Sequence, residues 1–252
     1  MKKLVHLGVG MALSSLMVPV SAETTSVHYT SEPIVIDGKV TEQAWSKAQW
    51  HALDHHIVGD VPVPADFSGR YKLLWDEEQM YLLLEVIDDV LRDSHPDPRV
   101  QYWDDDCVEI FVDEDASGGK HQFNHNAFAY HIALDGNVAD IGDTENDNRG
   151  VILLNDHVDS AWLRTDTTPY EMTWEVAFRL YPDTYTTAAP GEPVALSQDK
   201  EVGFMLAYCD ADEGDTREHF MGSHEIEPVN GDKNLGYIDA SVFGRIKLVK
   251  PE

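Results

Sequence analysis

The sequence predicts an all-β protein: an antiparallel β-sandwich of the jelly-roll or immunoglobulin-like kind, with one short helix near the N-terminus. About ten short apolar or alternating runs are bounded by Gly, Pro, Asn and Asp, and they recur at hairpin-like spacing. The long amphipathic segments that would carry the crossovers of a parallel sheet are missing.

Taken in order, Ile34-Val35-Ile36 reads as a first strand, closed by an Asp37-Gly38 turn. Thr41 is placed to cap a helix over Glu42 to Ala48, in which Ala44, Trp45 and Ala48 share one face. Tyr71 to Trp75 and Met80 to Ile87 flank the acidic turn Asp76-Glu77-Glu78 and read as a hairpin. Cys107 to Val112 is the best strand of the chain, and it exits through Asp113-Glu114-Asp115 towards Gly118-Gly119. Period-2 alternation puts Cys107 and Glu109 on one face and Val108 and Ile110 on the other. Burial of the two aliphatics therefore turns Glu109 to the opposite, polar face. Further strands are expected at 127–134, 160–166, 170–178, 202–209 and 244–249.

Met1-Lys2-Lys3, the apolar run from Leu4 to Val18 and the small residues Val20-Ser21-Ala22 form the pattern of a signal peptide over residues 1–22. The expected location is therefore the periplasm or the exterior. No later run approaches the roughly 18 apolar residues that a membrane-spanning helix needs, so no membrane insertion is expected. No Pro/Ser-rich linker divides residues 23–252, which are read as one domain with its core at about 32–250. The chain carries 18 basic and 46 acidic residues, a formal charge of −28. Nucleic acid and anionic lipid require basic footprints and are excluded as partners. Ten Tyr, eight Phe and six Trp supply material for a sizeable core. In an oxidising compartment Cys107 and Cys209 would form one disulfide or remain two small buried thiols.

Four motifs in order resemble the family 9 carbohydrate-binding modules. They are Ile36-Asp37-Gly38 through Ala44-Trp45; Leu74-Trp75-Asp76-Glu77 leading to Met80-Tyr81-Leu82; Trp103-Asp104-Asp105-Asp106 through Val112-Asp113; and Gln122-Phe123. The ending Phe243-Gly244-Arg245-Ile246-Lys247-Leu248 fits as well. The resemblance implies a sandwich that binds polysaccharides and soluble sugars, structural calcium, and association with xylanases and other secreted glycoside hydrolases. It implies no catalytic residues. By this resemblance Trp103 matches one of two tryptophans that sandwich the sugar, and Glu109 matches a carboxylate that binds hydroxyls. Gln122 joins them, Asn124 stands where an arginine is expected, and Ser223 stands where the second tryptophan is expected. The chemistry is coherent: a pyranose has an apolar C–H face that stacks on a ring, and hydroxyls that pair best with charged or amide groups.

Calcium requires hard oxygens on turns, and three acidic loops offer them: the one bearing Asp113 and Asp115, the one from Asp140 to Asn148, and the one bearing Asp210 and Asp212. None is an EF-hand loop. Other constellations carry less. Acid pairs at glycosidase spacing arise by chance among 46 carboxylates, and Asp106 reads as a hydrogen-bonding residue where the strand begins. The pairs His51/His55 and His121/His125 belong to no zinc motif, and the mature chain has no nucleophile elbow, phosphate loop or dinucleotide fingerprint. Two alternatives stand beside sugar binding: a b-type haem domain with axial ligands drawn from His219, Met221 and His224, and a glycoside hydrolase or its accessory protein.

Overall fold

The computed structural model describes residues 24–143 and 150–251; the expected leader and part of the acidic loop from Asp140 to Asn148 lie outside them. One layer contains β10 (Val158–Arg164), β11 (Glu171–Phe178), β5 (Met80–Asp88) and β4 (Phe67–Trp75) in that order, with β2 (His51–Leu53) on the far edge of β4. The other contains β14 (Gly244–Val249), β12 (Glu201–Asp210), β6 (Cys107–Asp113), β7 (Phe128–Ala133), β8 (Val138–Ile141) and β9 (Val151–Leu153). β13 (His219–Gly222) pairs with the distal end of β12, and β3 (His55–Val58) pairs with β13. β1 (Thr25–Tyr29) runs parallel to both β14 and β4 and joins the layers. The sheet is therefore mixed, where an antiparallel one was expected. Every other pairing between these strands is antiparallel.

One continuous core lies between the layers and draws on residues from Val27 to Leu248. Leu73, Leu82 and Trp174 meet Ile110, Tyr130 and Leu206 there. Val108, Ile110 and Val112 enter this core, whereas Cys107 and Phe111 join a second cluster on the other face of β6, as alternation requires.

Two expected elements differ. Ile34–Ile36 forms no ladder: Ile34 is buried against Trp45, Val35 is exposed, and the chain is fixed instead by Glu175, whose Oε2 accepts from Asp37 N and Gly38 N at 3.2 and 3.0 Å. The expected helix is one 3₁₀ turn, Gln43–Lys47, with Glu42 rather than Thr41 at its N-cap and no side-chain cap. Its Trp45 indole N–H donates to the same Glu175 at 3.0 Å. A single turn pinned from outside needs no helical continuation.

Candidate functional site

β6 lies between β12 and β7, and all seven of its residues are buried. Glu109 stands directly opposite His131 on β7 and Ala207 on β12. Its Oε1 lies 2.7 Å from His131 Nε2 and accepts from Arg217 Nη1 at 3.2 Å and from the Cys209 thiol at 3.1 Å. Among the described residues no protein donor reaches its Oε2, and that oxygen is not one of the sealed side-chain atoms lacking a partner. Burial acts to raise the Glu109 carboxyl, but the charges and hydrogen bonds of His131 and Arg217 outweigh it and hold the group below its ordinary value. The result is a buried carboxylate with one saturated oxygen and one that no protein donor of the described residues engages.

Three aspartates before β6 build the frame. Asp106 accepts from Arg92 N and Ala211 N, fulfilling the structural part expected of it. Asp105 accepts from the backbone N–H groups of Ser94 and His95. Asp104 Oδ1 accepts from Arg217 N at 3.3 Å, tying the loop that carries Arg217 to the loop that carries Trp103. The Arg217 guanidinium carbon also lies over the Phe220 ring, 4.1 Å from its centre.

Above Glu109 opens a cavity of about 360 Å³. Tyr102 and Trp103 form one wall, packed with Val151 against Ala139. Tyr102 meets Trp103 edge-on at 5.0 Å and His131 at 4.5 Å. Gln122, Phe123, Asn234 and Tyr237 form another wall from two loops that are tied together: His121 N donates to Ile238 O, and His121 Nε2 lies 2.7 Å from Gly236 O. Gly236 needs to be glycine, because a Cβ there would press on Met205 and Phe111.

Of the expected ligand residues, Trp103, Glu109 and Gln122 line this cavity; Asn124 and Ser223 do not. Asn124 spends its side chain shaping its own turn, with Nδ2 donating to Lys120 O and Oδ1 accepting from Asn126 N. Ser223 Oγ accepts from Leu206 N and faces His224 Nδ1. Sequence reasoning missed Tyr102, Phe123, His131, Arg217, Asn234 and Tyr237. His131 was within reach, since it pairs with Glu109 across a hairpin; Arg217 gave no local signal.

Cys107 and Cys209 are direct cross-strand partners, both buried and both free thiols. The disulfide alternative is not the arrangement seen, because Cys209 is engaged instead by Glu109 and by Arg217 Nη1 at 3.1 Å.

The acidic residues separate into two places. Asp113 and Asp115 lie in a turn closed by Gly118 N and Ser117 N. Asp210 sits seven residues along β12 from Gly203, the partner of Asp113, roughly 20 Å away at the strand rise. The structure therefore does not unite the two pairs. Asp210 and Asp212 instead meet Asp66, Asp88, Asp89, Glu218 and His219 in overlapping groups whose ligand atoms approach within 4.8 Å. Asp88 Oδ1, Asp210 Oδ2 and Asp212 Oδ1 are sealed from solvent without a partner. Burial and mutual repulsion push Asp88 up to about 6, Asp212 to about 7 and Asp210 to about 8. Orphaned, converging carboxylate oxygens fit a hard divalent cation such as calcium.

The haem alternative gains no support. Met221 is buried in the sandwich core, and His219 is engaged by Asp60 O and Asp66. Among the described residues no helix is long and apolar enough to cross a membrane.

Residues 36–251 match the family described as "Carbohydrate family 9 binding domain-like", and the chain belongs to that family. It is similar to endo-1,4-beta-xylanase A of Thermotoga neapolitana, 34% identical over 80 residues, which are 32% of this chain and 7% of the xylanase. Against endo-1,4-beta-xylanase C of Paenibacillus barcinonensis it is 26% identical over 219 residues, covering 85% of this chain and 16% of that one. The chain thus spans a small fraction of these curated relatives. Its fold matches a family 9 carbohydrate-binding module from Caldicellulosiruptor kristjanssonii solved with cellotriose, with a TM-score of 0.63, 20% identity, and coverage of 91% of this chain and 95% of that one.

Proposed function

We propose that this chain is a non-catalytic carbohydrate-binding protein that takes its ligand in the cavity over Glu109. The observation that carries the reading is the buried Glu109 carboxylate with one oxygen open to an aromatic-walled cavity. Such an oxygen accepts strongly from a sugar hydroxyl, while Trp103 offers a ring to a C–H face. Glycoside hydrolysis in the usual mode needs two carboxyl groups at the bond cleaved. Glu109 is the one acid lining this cavity among the described residues, and it is ion-paired.

The xylanase relatives and the cellotriose-bound neighbour favour plant-type glucans and xylans as ligands, and secreted glycoside hydrolases as associates. The basic start and apolar run of residues 1–22 favour export to the periplasm or exterior. Calcium held by Asp210, Asp212 and Asp88 is proposed as a structural ion that fastens the ends of β5 and β12.

Calorimetric titration with glucose, cellotriose and xylotriose tests the reading. Saturable binding is expected, with strong weakening in Trp103→Ala. Absence of binding at millimolar sugar, with no difference between the wild type and the variant, overturns it.

A further inference from the structure

Phe123 is 40% exposed and sits in the left-handed region at φ 63°. That conformation costs a bulky residue free energy and calls for a functional reason when the surroundings enforce it. Here they do. The flanking His121 and His125 are 3% and 2% exposed, so the tip Gln122-Phe123-Asn124 is clamped at both ends. Asn124 N donates to His121 O at 3.1 Å, and Asn126 Nδ2 ties the exit of the turn to Gly118 O at 2.7 Å.

The ring so presented is itself unused. Whereas Trp103 packs edge-on to Tyr102, no other ring of the described residues pairs with Phe123. The strand register sets where it stands. The Phe123 loop is bound to the segment that rests on Phe111 and Met205, two residues along β6 from Glu109. The Trp103 wall rests on Ala139, the partner of His131 on the outer side of β7. Both walls and the Glu109 carboxylate line the one cavity.

We infer that Phe123 is the second stacking surface of this cavity, facing the wall of Trp103, and that its backbone strain is the cost of holding an unpartnered ring against a sugar. The inference rests on the sugar-binding reading of the same cavity and deepens it: the aromatic absent at Ser223 is supplied from a different loop.

The test compares Phe123→Leu, Phe123→Tyr and Phe123→Gly with the wild type and Trp103→Ala, using cellotriose binding and thermal midpoint. A stacking ring contributes about two- to tenfold in affinity beyond the area it covers. Phe123→Leu is therefore expected to bind about two- to tenfold more weakly and Phe123→Tyr to be indistinguishable from the wild type. Phe123→Gly accepts the left-handed backbone without strain, so it keeps the fold while losing binding even if the leucine variant is poorly folded. Wild-type affinity in Phe123→Leu or Phe123→Gly, alongside loss in Trp103→Ala, overturns the inference and leaves the sugar site standing. No cellotriose binding by the wild type overturns both.

Discussion

His131 Nε2 lies 2.7 Å from Glu109 Oε1, and the two residues stand directly opposite each other on adjacent buried strands. The same carboxylate pairs with the buried Arg217 guanidinium at 3.2 Å, and removing one member of a buried ion pair is costly, because the other is left charged and unpaired. Glu109→Gln strands both Arg217 and His131. It is expected to lower stability by about 3 kcal/mol, roughly 6 to 12 °C in the thermal midpoint for a domain of this size, and to abolish sugar binding. The Glu109 carboxyl is held below its ordinary value of 4.5, so its contribution is present above that pH and is lost as pH falls through the lower folded value. The gap between the wild type and Glu109→Gln should therefore shrink below about pH 4.5; a pH-independent gap argues against the ion pair.

The acidic cluster has the opposite sign. Asp88, Asp212 and Asp210 are raised from 3.8 to about 6, 7 and 8. Without metal, the stability they permit is complete below pH 3.8 and declines as pH rises through those values. Calcium binds the ionised cluster, so in EDTA the thermal midpoint should fall between pH 5 and 8, and millimolar calcium should restore most of it at pH 8. Asp210→Asn should flatten both responses. Equal midpoints with EDTA and with calcium at pH 8 refute the site.

How much of this was legible in the sequence follows from the range of the forces involved. Alternation alone placed Glu109 opposite Val108 and Ile110, because the strand period is local; the face it stands on is a buried, largely apolar cluster rather than the polar face expected, because the loops that cover it come from elsewhere in the chain. The main hairpin and the late strands were equally plain. β1, β3 and β13 were not, since each is stabilised by partners distant in sequence and has a weak pattern of its own. The same limit governed the cavity. Trp103, Glu109 and Gln122 lie in contiguous motifs, whereas Arg217 and Tyr237 arrive from loops whose paths are set by contacts such as Asp104 with Arg217 N and His121 with Gly236 O. Ser223 and Asn124 were placed by position in a motif, and their side chains are spent on the backbone nearby.

Gly244 and His224 form a steric pair. A Cβ at Gly244 would fall inside the His224 imidazole, whose ring is half-buried and pushed down to about 4 by desolvation and by His55 and His51. Gly244→Ala should cost about 3 kcal/mol by overpacking, while Gly244→Ala with His224→Ala should cost less than the sum of the two single changes. Additive losses in denaturant melts would show that the contact does not govern the position. The lowered His224 also predicts an acid limb: its contribution is complete above 6.5 and is lost as pH falls towards 4.

Cys107 and Cys209 give the final prediction. Both thiols are raised first by burial; Cys107 is raised further by its hydrogen bond with Cys209, and Cys209 by the Glu109 charge beside it. A thiol reacts through its thiolate, so neither should react with a thiol-specific disulfide reagent in the native protein, and two thiols per chain should titrate once guanidinium unfolds it. Loss of the titratable thiols in the unfolded, unreduced protein would mean a bridge and a different floor to the cavity, because a bridged Cys209 has no S–H to donate to Glu109. Cys209→Ala removes that donor while keeping Arg217 and His131. It should therefore cost only about 1 to 2 kcal/mol and weaken sugar binding far less than Glu109→Gln, an ordering that calorimetry on the two variants would check directly.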